Sequence, residues 1–289
     1  MEKFKDWIEK ATILLEALPY IKRFYGSTMV IKIGGEPMID EESKENLALN
    51  LILLKYVGIN PVVIHGGGQQ ITDLMKSLGK EAIFIEGLRV TDKETMNITE
   101  MVLTGMVNKD IVGIINHHGG KAVGISGKDG NLMEAEKLDK GSADLGYVGQ
   151  IKKINPDVVL TLSEKGFIPI ISPVGIGHKG ESFNINADTA ASRIAVALHA
   201  VKLILLTNVR GIYKEPGRED SFLPTVKIKE AEKQIKGNII TKGMLPKVES
   251  CIYALKQGVE KAHIINGLIP HSIILEIFTE SGIGTQIIK

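Results

Sequence analysis

Apolar residues recur along this chain at two spacings, one helical and one alternating. Phe4, Trp7, Ile8, Ala11, Leu14, Leu15 and Leu18 follow the helical spacing. Pro19 interrupts it, and Tyr20, Ile21, Phe24 and Tyr25 make a second patch. The pattern predicts an amphipathic helix kinked or broken near Pro19, ahead of the main fold. Trp and Phe are enriched at interfaces, so this helix suits a contact with another subunit as well as it suits packing on its own.

From residue 29 onward, short apolar runs alternate with helical stretches. Strands are predicted at 29–33, 61–65, 122–126, 167–171, 202–207, 262–266 and 285–288, with a strand or hairpin arm at 83–90 and a hairpin over 145–151. Helices are predicted at about 41–57, from the triple glycine to 78, at 93–117, 158–166, from Asn186 to about 198, at 241–257 and at 272–278. Residues 214–221, with Pro216 and Gly217, read as a polar loop. Strands alternating with helices predict an α/β fold: a three-layer αβα sandwich around a mainly parallel open sheet. No internal repeat or long linker interrupts it, and the loop at 175–181 is the best place for a boundary between two lobes.

The strand at 29–33 carries the first candidate chemistry. Alternation puts Val30, Lys32 and Gly34 on one face. A buried lysine is costly unless it meets an anion. At the C-terminal end of a parallel strand it would face the crevice where open α/β sheets bind ligands. Gly34 and Gly35 then bare backbone N–H groups suited to a phosphate. An edge strand whose lysine reaches water is the other reading.

The strand at 61–65 runs into Gly66, Gly67 and Gly68 and then a helix. In that construction the N–H groups of turn and helix converge on an anion. It matches neither common phosphate-loop pattern, and a tight turn that needs glycine is the plainer reading. Arg89 has the planar fork that pairs with a carboxylate, although an arginine in a hairpin is also at home as a solvated charge. Asn186 fits a helix N-cap and Asp188 its first turn, which accounts for that carboxylate without any function. Pro246 fits the first turn of the helix opening at 241. Lys247 then sits where a cation is disfavoured unless a phosphate shares the site.

Composition narrows the classes of function. The net charge is +1 with no run of like charge, which recommends neither nucleic acid nor an anionic membrane as partner. The single cysteine, Cys251, excludes an internal disulfide, falls in an apolar helical pattern and fits a reducing cytoplasm. The N-terminus mixes acids and bases without an apolar core, unlike a secretory signal, and no apolar run is long enough to span a bilayer. The histidines show no metal-binding spacing, so no structural metal site is expected.

Taken together, VIKIGG (30–35), VIHGGGQQI (63–71), EGLRVTD (86–92), GISGKDG (124–130), DLGYVGQI (144–151), FNINADTAA (183–191), TNVRGIY (207–213), ITKGMLPK (240–247) and the run 271–287 resemble the amino acid kinase family in their order and spacing. The resemblance covers the chain from about residue 28 to its end and implies a carbamate kinase-like fold. It points to the members that phosphorylate the side-chain carboxylate of N-acetyl-L-glutamate with ATP in arginine biosynthesis. It implies that Lys32 and Lys247 stabilise the phosphoryl group in flight and that Asp188 orients both. Gly34 and Gly35, with Gly66 assisting, are expected at the γ-phosphate. Gly67, Gly68, Arg89 and Asn184 are expected at the acylated amino acid. Asn208, Val209, Arg210, Gly211, Ile212, Tyr213, Ile239, Ile240 and Thr241 are expected at the nucleotide. Mg²⁺ is expected to travel on the ATP phosphates. A carboxylate nucleophile is already ionised at pH 7, so no general base is required. Glu36-Pro37 depart from the Asn-Ala common there, and Asn208 stands where an aspartate is frequent.

The resemblance divides the chain into an N-terminal helical extension (1–26), a lobe for N-acetylglutamate (27–178) and a lobe for ATP (179–289). The extension is similar to that of arginine-inhibited members, where it interlaces with a neighbour and joins three dimers into a hexamer. Arginine is expected beside it, near Lys214, His271, Glu280 and Gly282. A kinase of the same fold for acetylated aminoadipate is the near rival, since one methylene gives little discrimination. A non-catalytic arginine sensor is the distant one, and it would have dispensed with Lys32, Asp188 or Lys247.

Overall fold

The structure is a computed structural model that describes residues 4–35, 38, 40–141, 143–215, 217–240 and 243–289. The expectations placed on Glu36, Pro37, Pro216 and Thr241 lie outside the described residues. Helices α1 (Lys5–Glu16) and α2 (Leu18–Phe24) lead into β1 (Thr28–Ile33). Then come α3 (Glu41–Tyr56), β2 (Asn60–His65), α4 (Gly68–Ser77), α5 (Lys93–Glu100), α6 (Asn108–His117) and β3 (Ala122–Ser126). The second half holds α7 (Asp157–Glu164), β4 (Ile168–Ser172), α8 (Ala187–Ala197), β5 (Lys202–Thr207), β6 (Thr225–Lys227), α9 (Ile228–Lys236), α10 (Leu245–Lys256), β7 (Lys261–Asn266), α11 (Ser272–Ile277) and β8 (Thr285–Ile288). No helix among the described residues is long and apolar enough to cross a membrane.

The eight strands form one sheet in the order β6-β8-β7-β5-β1-β2-β4-β3. The strands from β7 to β3 run parallel. At the far edge β8 reverses against β7, with β6 parallel to β8. Both faces of β1 are buried, and its alternation splits it between two cores. Met29, Ile31 and Ile33 join the core roofed by α3, α4, α6 and α11. Val30 joins the core roofed by α7, α8, α9 and α10, beside Val62, Ile64, Leu203 and Leu205. Each such side chain contributes roughly 1.5–3 kcal/mol through burial, and this holds β1 at the centre of the three layers. The chain builds outward from β1 on one side and returns with β5 on the other. A topological switch point therefore lies at the C-terminal ends of β1 and β5, where ligands of such sheets bind.

Two local expectations change. The helix at 93–117 is interrupted by a π-helical segment, Met101–Val107, between α5 and α6; such segments concentrate at functional sites. Residues 145–151 do not fold on themselves. Strand Gly149–Ile154 pairs antiparallel with Met133–Lys137, while Gly146 bridges to Thr91, because the partner strand lies beyond a long loop that local alternation does not reveal. The loop expected as a lobe boundary turns between Val174–Ile176 and Ser182–Asn184, an antiparallel pair in the same small sheet. Finally, α1 does not pack on the body of its own chain: Trp7 is 65% exposed and Leu14 75%.

Candidate active site

Three elements converge at the switch point. Lys32 comes from β1 on the face shared with Val30 and points under α8 and α10. Asn186 caps α8, its Oδ1 accepting from the N–H groups of Asp188 and Thr189 at 3.0 Å each. That cap places Asp188 in the first turn. Leu245 and Pro246 open α10 and bring Lys247 inward from its start. Lys32 Nζ then lies 3.0 Å from Asp188 Oδ1, and Lys247 Nζ lies 3.0 Å from Oδ2. One carboxylate bridges two ammonium groups.

Lys32 and Asp188 are buried, and the side chain of Lys247 is 17% exposed. Burial opposes charge on Asp188, but Lys32 and then Lys247 outweigh it and hold the carboxyl below the usual carboxylate range. Burial also pushes the Lys32 ammonium below its ordinary value; Asp188 counters this and Lys247 adds to it. The trio is left with a net positive charge, so it attracts an anion.

Two cavities lie beside the glycine turns that follow β1 and β2. One, of about 320 Å³, is lined by Lys32, Gly34, Gly35, Thr207, Asn208 and Lys247 among others. The other, of about 210 Å³, contains Gly66, Gly67, Gly68, Arg89, Leu103 and Asn184. The expected substrate residues Gly67, Gly68, Arg89 and Asn184 are therefore brought together. Arg89 is buried over the Phe84 ring and donates to Gly68 O and Thr72 Oγ1 at 2.8 Å each. Asn184 donates to Thr91 Oγ1 at 3.2 Å. Of the residues expected at the nucleotide, Gly34, Gly35, Asn208 and Val209 line the first cavity. Arg210 stacks on Phe222, Gly211 approaches Thr285, and Ile212 and Tyr213 form a short hairpin with Phe222–Leu223 beyond it. Ile239 is exposed and Ile240 half-buried before α10.

Two expected groupings are arranged differently in the chain. Gly66 does not offer a free N–H to a phosphate: its N–H donates to Ile33 O at 2.8 Å, which ties the second glycine turn to the first strand. The four residues expected at an arginine pocket are not gathered. Glu280 and Gly282 line a cavity of about 340 Å³ with Arg23, Phe24, Lys202 and Glu276. His271 turns away to Asn50 Oδ1 at 3.1 Å, and Lys214 lies in the loop after Tyr213, its N–H bonded to Ser221 O. What sequence reasoning missed is the buried cluster at that cavity. His263 bonds Glu276, whose other oxygen accepts from the N–H groups of Ile283 and Gly284 at 2.8 and 3.1 Å. Lys202 Nζ lies 3.4 Å from His263 Nε2; burial, opposed by Glu276, lowers the ammonium to about 8. The available signal was a histidine inside the otherwise apolar run of β7.

Residues 27–266 match the family model described as the amino acid kinase family, and the chain belongs to that family. It is 54% identical over 287 residues to the acetylglutamate kinase of Halothermothrix orenii, a match that spans 99% of each chain. Among solved structures, N-acetylglutamate synthase from Neisseria gonorrhoeae, complexed with coenzyme A and N-acetyl-glutamate, is similar at a TM-score of 0.85 and 28% identity over 96% of this chain. This chain spans 63% of that synthase's length. Carbamate kinase from Giardia lamblia, bound to AMP-PNP, shares the fold, with a TM-score of 0.66 at 18% identity over 91% of this chain and 99% of its own.

Proposed function

We propose that this chain catalyses ATP-dependent phosphorylation of the side-chain carboxylate of N-acetyl-L-glutamate, giving N-acetyl-L-glutamyl 5-phosphate in arginine biosynthesis. The observation that carries the proposal is the Lys32–Asp188–Lys247 trio, whose two lysines line one cavity while Asn186 and Ala187, just before Asp188, line the other. Both reactants are anions, and their repulsion must be neutralised before they meet. The substrate carboxylate occupies the cavity of Gly67, Gly68, Arg89 and Asn184, and the ATP phosphates that of Gly34, Gly35 and Asn208. One carboxylate oxygen forms a bond to the γ-phosphorus as the bridging P–O bond breaks and ADP leaves. Charge spreads over the oxygens of the transferring group, where Lys32 and Lys247 offset it. Asp188 keeps both ammonium groups in place without touching the phosphorus.

The donor set fits a metal that arrives with the substrate. The one carboxylate of the trio is committed to two lysines, and among the described residues no group of three or more His, Cys, Asp or Glu is placed to hold an ion. A divalent ion, Mg²⁺ in this reading, is carried on the ATP phosphates. Residues 27–178 supply most of the N-acetylglutamate site and residues 179–289 most of the ATP site.

Arginine is assigned as inhibitor to the cavity of Lys202, Glu276 and Glu280, whose acids suit a guanidinium and whose lysine suits a carboxylate. The unpacked apolar residues of α1 are assigned to pairing with other copies of the chain, joining three dimers into a hexamer. The test is acyl phosphate formation from ATP and N-acetylglutamate, trapped with hydroxylamine, with and without arginine. Product that arginine suppresses is expected. Product only from the longer acetylated aminoadipate would change the substrate, and none from either, with folded protein that binds ATP, would overturn the kinase reading.

A further inference from the structure

We propose that His65 is a positioning residue: its imidazole, held in one tautomer by Asn108, turns the Gly66–Gly67 peptide so that the Gly67 N–H faces the acidic substrate. The inference rests on the reading that the cavity beside Gly67 and Gly68 receives the substrate carboxylate.

His65 ends β2 and is fully buried on the face of Ile33 and Val63, among apolar side chains. Packing alone would be served by an aliphatic residue there. The polar atoms of the ring are instead both engaged. Nδ1 lies 2.8 Å from Gly66 O, and Nε2 lies 3.2 Å from Asn108 Nδ2.

The direction of each bond follows from the neighbours of Asn108. The same Nδ2 lies 2.9 Å from Ile170 O, which can only accept. Asn108 Oδ1 lies 3.1 Å from Lys109 Nζ, which can only donate. The amide nitrogen therefore points at His65, and Nε2 must accept. The ring proton is left on Nδ1, where it donates to Gly66 O. Burial keeps the ring neutral by lowering its pKa to about 4, which the Gly66 bond resists and Lys109 assists.

The carbonyl and N–H of a trans peptide point in opposite directions, and no cis peptide occurs among the described residues. Drawing Gly66 O toward His65, on the α3–α6 side of the sheet, sends the Gly67 N–H to the other side. On that side Asn186 and Ala187, at the start of α8, line the cavity that Gly67 also lines. The turn is held from above as well. A Cβ on Gly67 would meet Leu103 Cδ2 at 2.5 Å, so the π-helical segment presses on the same residue that His65 orients. The pair His65–Asn108 spans 43 positions of sequence to reach a peptide that carries no side chain of its own.

The experiment compares the wild type with His65→Leu and His65→Asn, using the full chain. Asparagine keeps an N–H donor near the position of Nδ1, whereas leucine keeps only the volume. For His65→Leu the KM for N-acetylglutamate is expected to rise about ten- to a hundredfold, the loss of one hydrogen bond to a charged group, with the KM for ATP within about twofold. His65→Asn should recover most of that loss. Equal change in both KM values, or no recovery with asparagine, would overturn the proposal. Imidazole ¹⁵N spectra of the wild type give a second readout that survives a variant that fails to fold: a fixed Nδ1–H signal from pH 5.5 to 8 is expected, and an Nε2–H tautomer or a titrating ring would overturn it. A wild type that makes no acyl phosphate at all removes the substrate reading instead, and the spectra still decide the tautomer.

Discussion

A Cβ built on Gly34 would stand 2.5 Å from Lys32 Nζ. The glycine after β1 thus leaves the space through which the lysine turns toward Asp188. Gly34→Ala should displace the ammonium while leaving the buried strand intact. A shift of that size at a reacting centre costs about a hundredfold in rate, so kcat should fall by that order with a melting temperature close to wild type. An unchanged kcat would show that Lys32 reaches its place by another route.

Asp188→Asn removes the charge that two lysines share. Breaking a buried ion pair from one side costs about 3–5 kcal/mol, and here two ammonium groups are left facing each other. Both urea stability and acyl phosphate formation should fall, the second by at least about a hundredfold. Retained turnover would remove Asp188 from the machinery.

Acid should weaken the fold through His65. The ordinary value of 6.5 is lowered to about 4 in the native chain. Between those values the unfolded chain binds a proton that the native chain refuses. The contribution is therefore fully present above pH 6.5 and is lost as pH falls toward 4, roughly 3 kcal/mol in all. Urea melts across this window should show stability rising with pH, and His65→Leu should flatten that part of the slope. Asp188 acts in the same direction at lower pH: its contribution is fully present above the ordinary carboxylate range and is lost as pH falls below it.

Gly67 and Leu103 should behave as a coupled pair. Gly67→Ala forces a methyl group against Leu103 Cδ2 and should raise the KM for N-acetylglutamate about tenfold. Adding Leu103→Ala relieves the clash and should restore most of it. Strict additivity in the double variant would show that the two sites are independent.

The exposed face of α1 predicts assembly. Leu14→Glu puts a charge on a residue that is 75% exposed in the single chain, so it should not affect folding. Light scattering should find a smaller oligomer than in the wild type, with arginine inhibition weakened and basal turnover retained. Unchanged mass would place the interface elsewhere.

Much of the site was legible along the chain because it is made of local geometry. Alternation in β1 put Lys32 on the face of Val30, and the structure keeps it there. The Asn186 cap set the start of α8, and Pro246 set that of α10, so Asp188 and Lys247 were both placed at helix N-termini before any contact was known. The helix at 93–117 keeps its bounds, but the π-helical segment within it went unread, because such a segment has no distinct apolar period and is revealed only by its backbone bonds. The α9 helix went unread among charged residues, although Ala231 is buried.

What the sequence by itself determined is therefore the alternation of strands and helices, the glycine turns and the helix ends, each governed by residues within a few positions of one another. Only the tertiary structure decided that Asp188 meets Lys32 and Lys247 together, that Arg89 lies on Gly68, that His65 is held by Asn108, and that Glu276 rather than His271 faces the cavity beside α2. Those contacts depend on β5 returning to the far side of β1. The order of strands in a sheet is set by how whole faces bury one another, which no local period encodes.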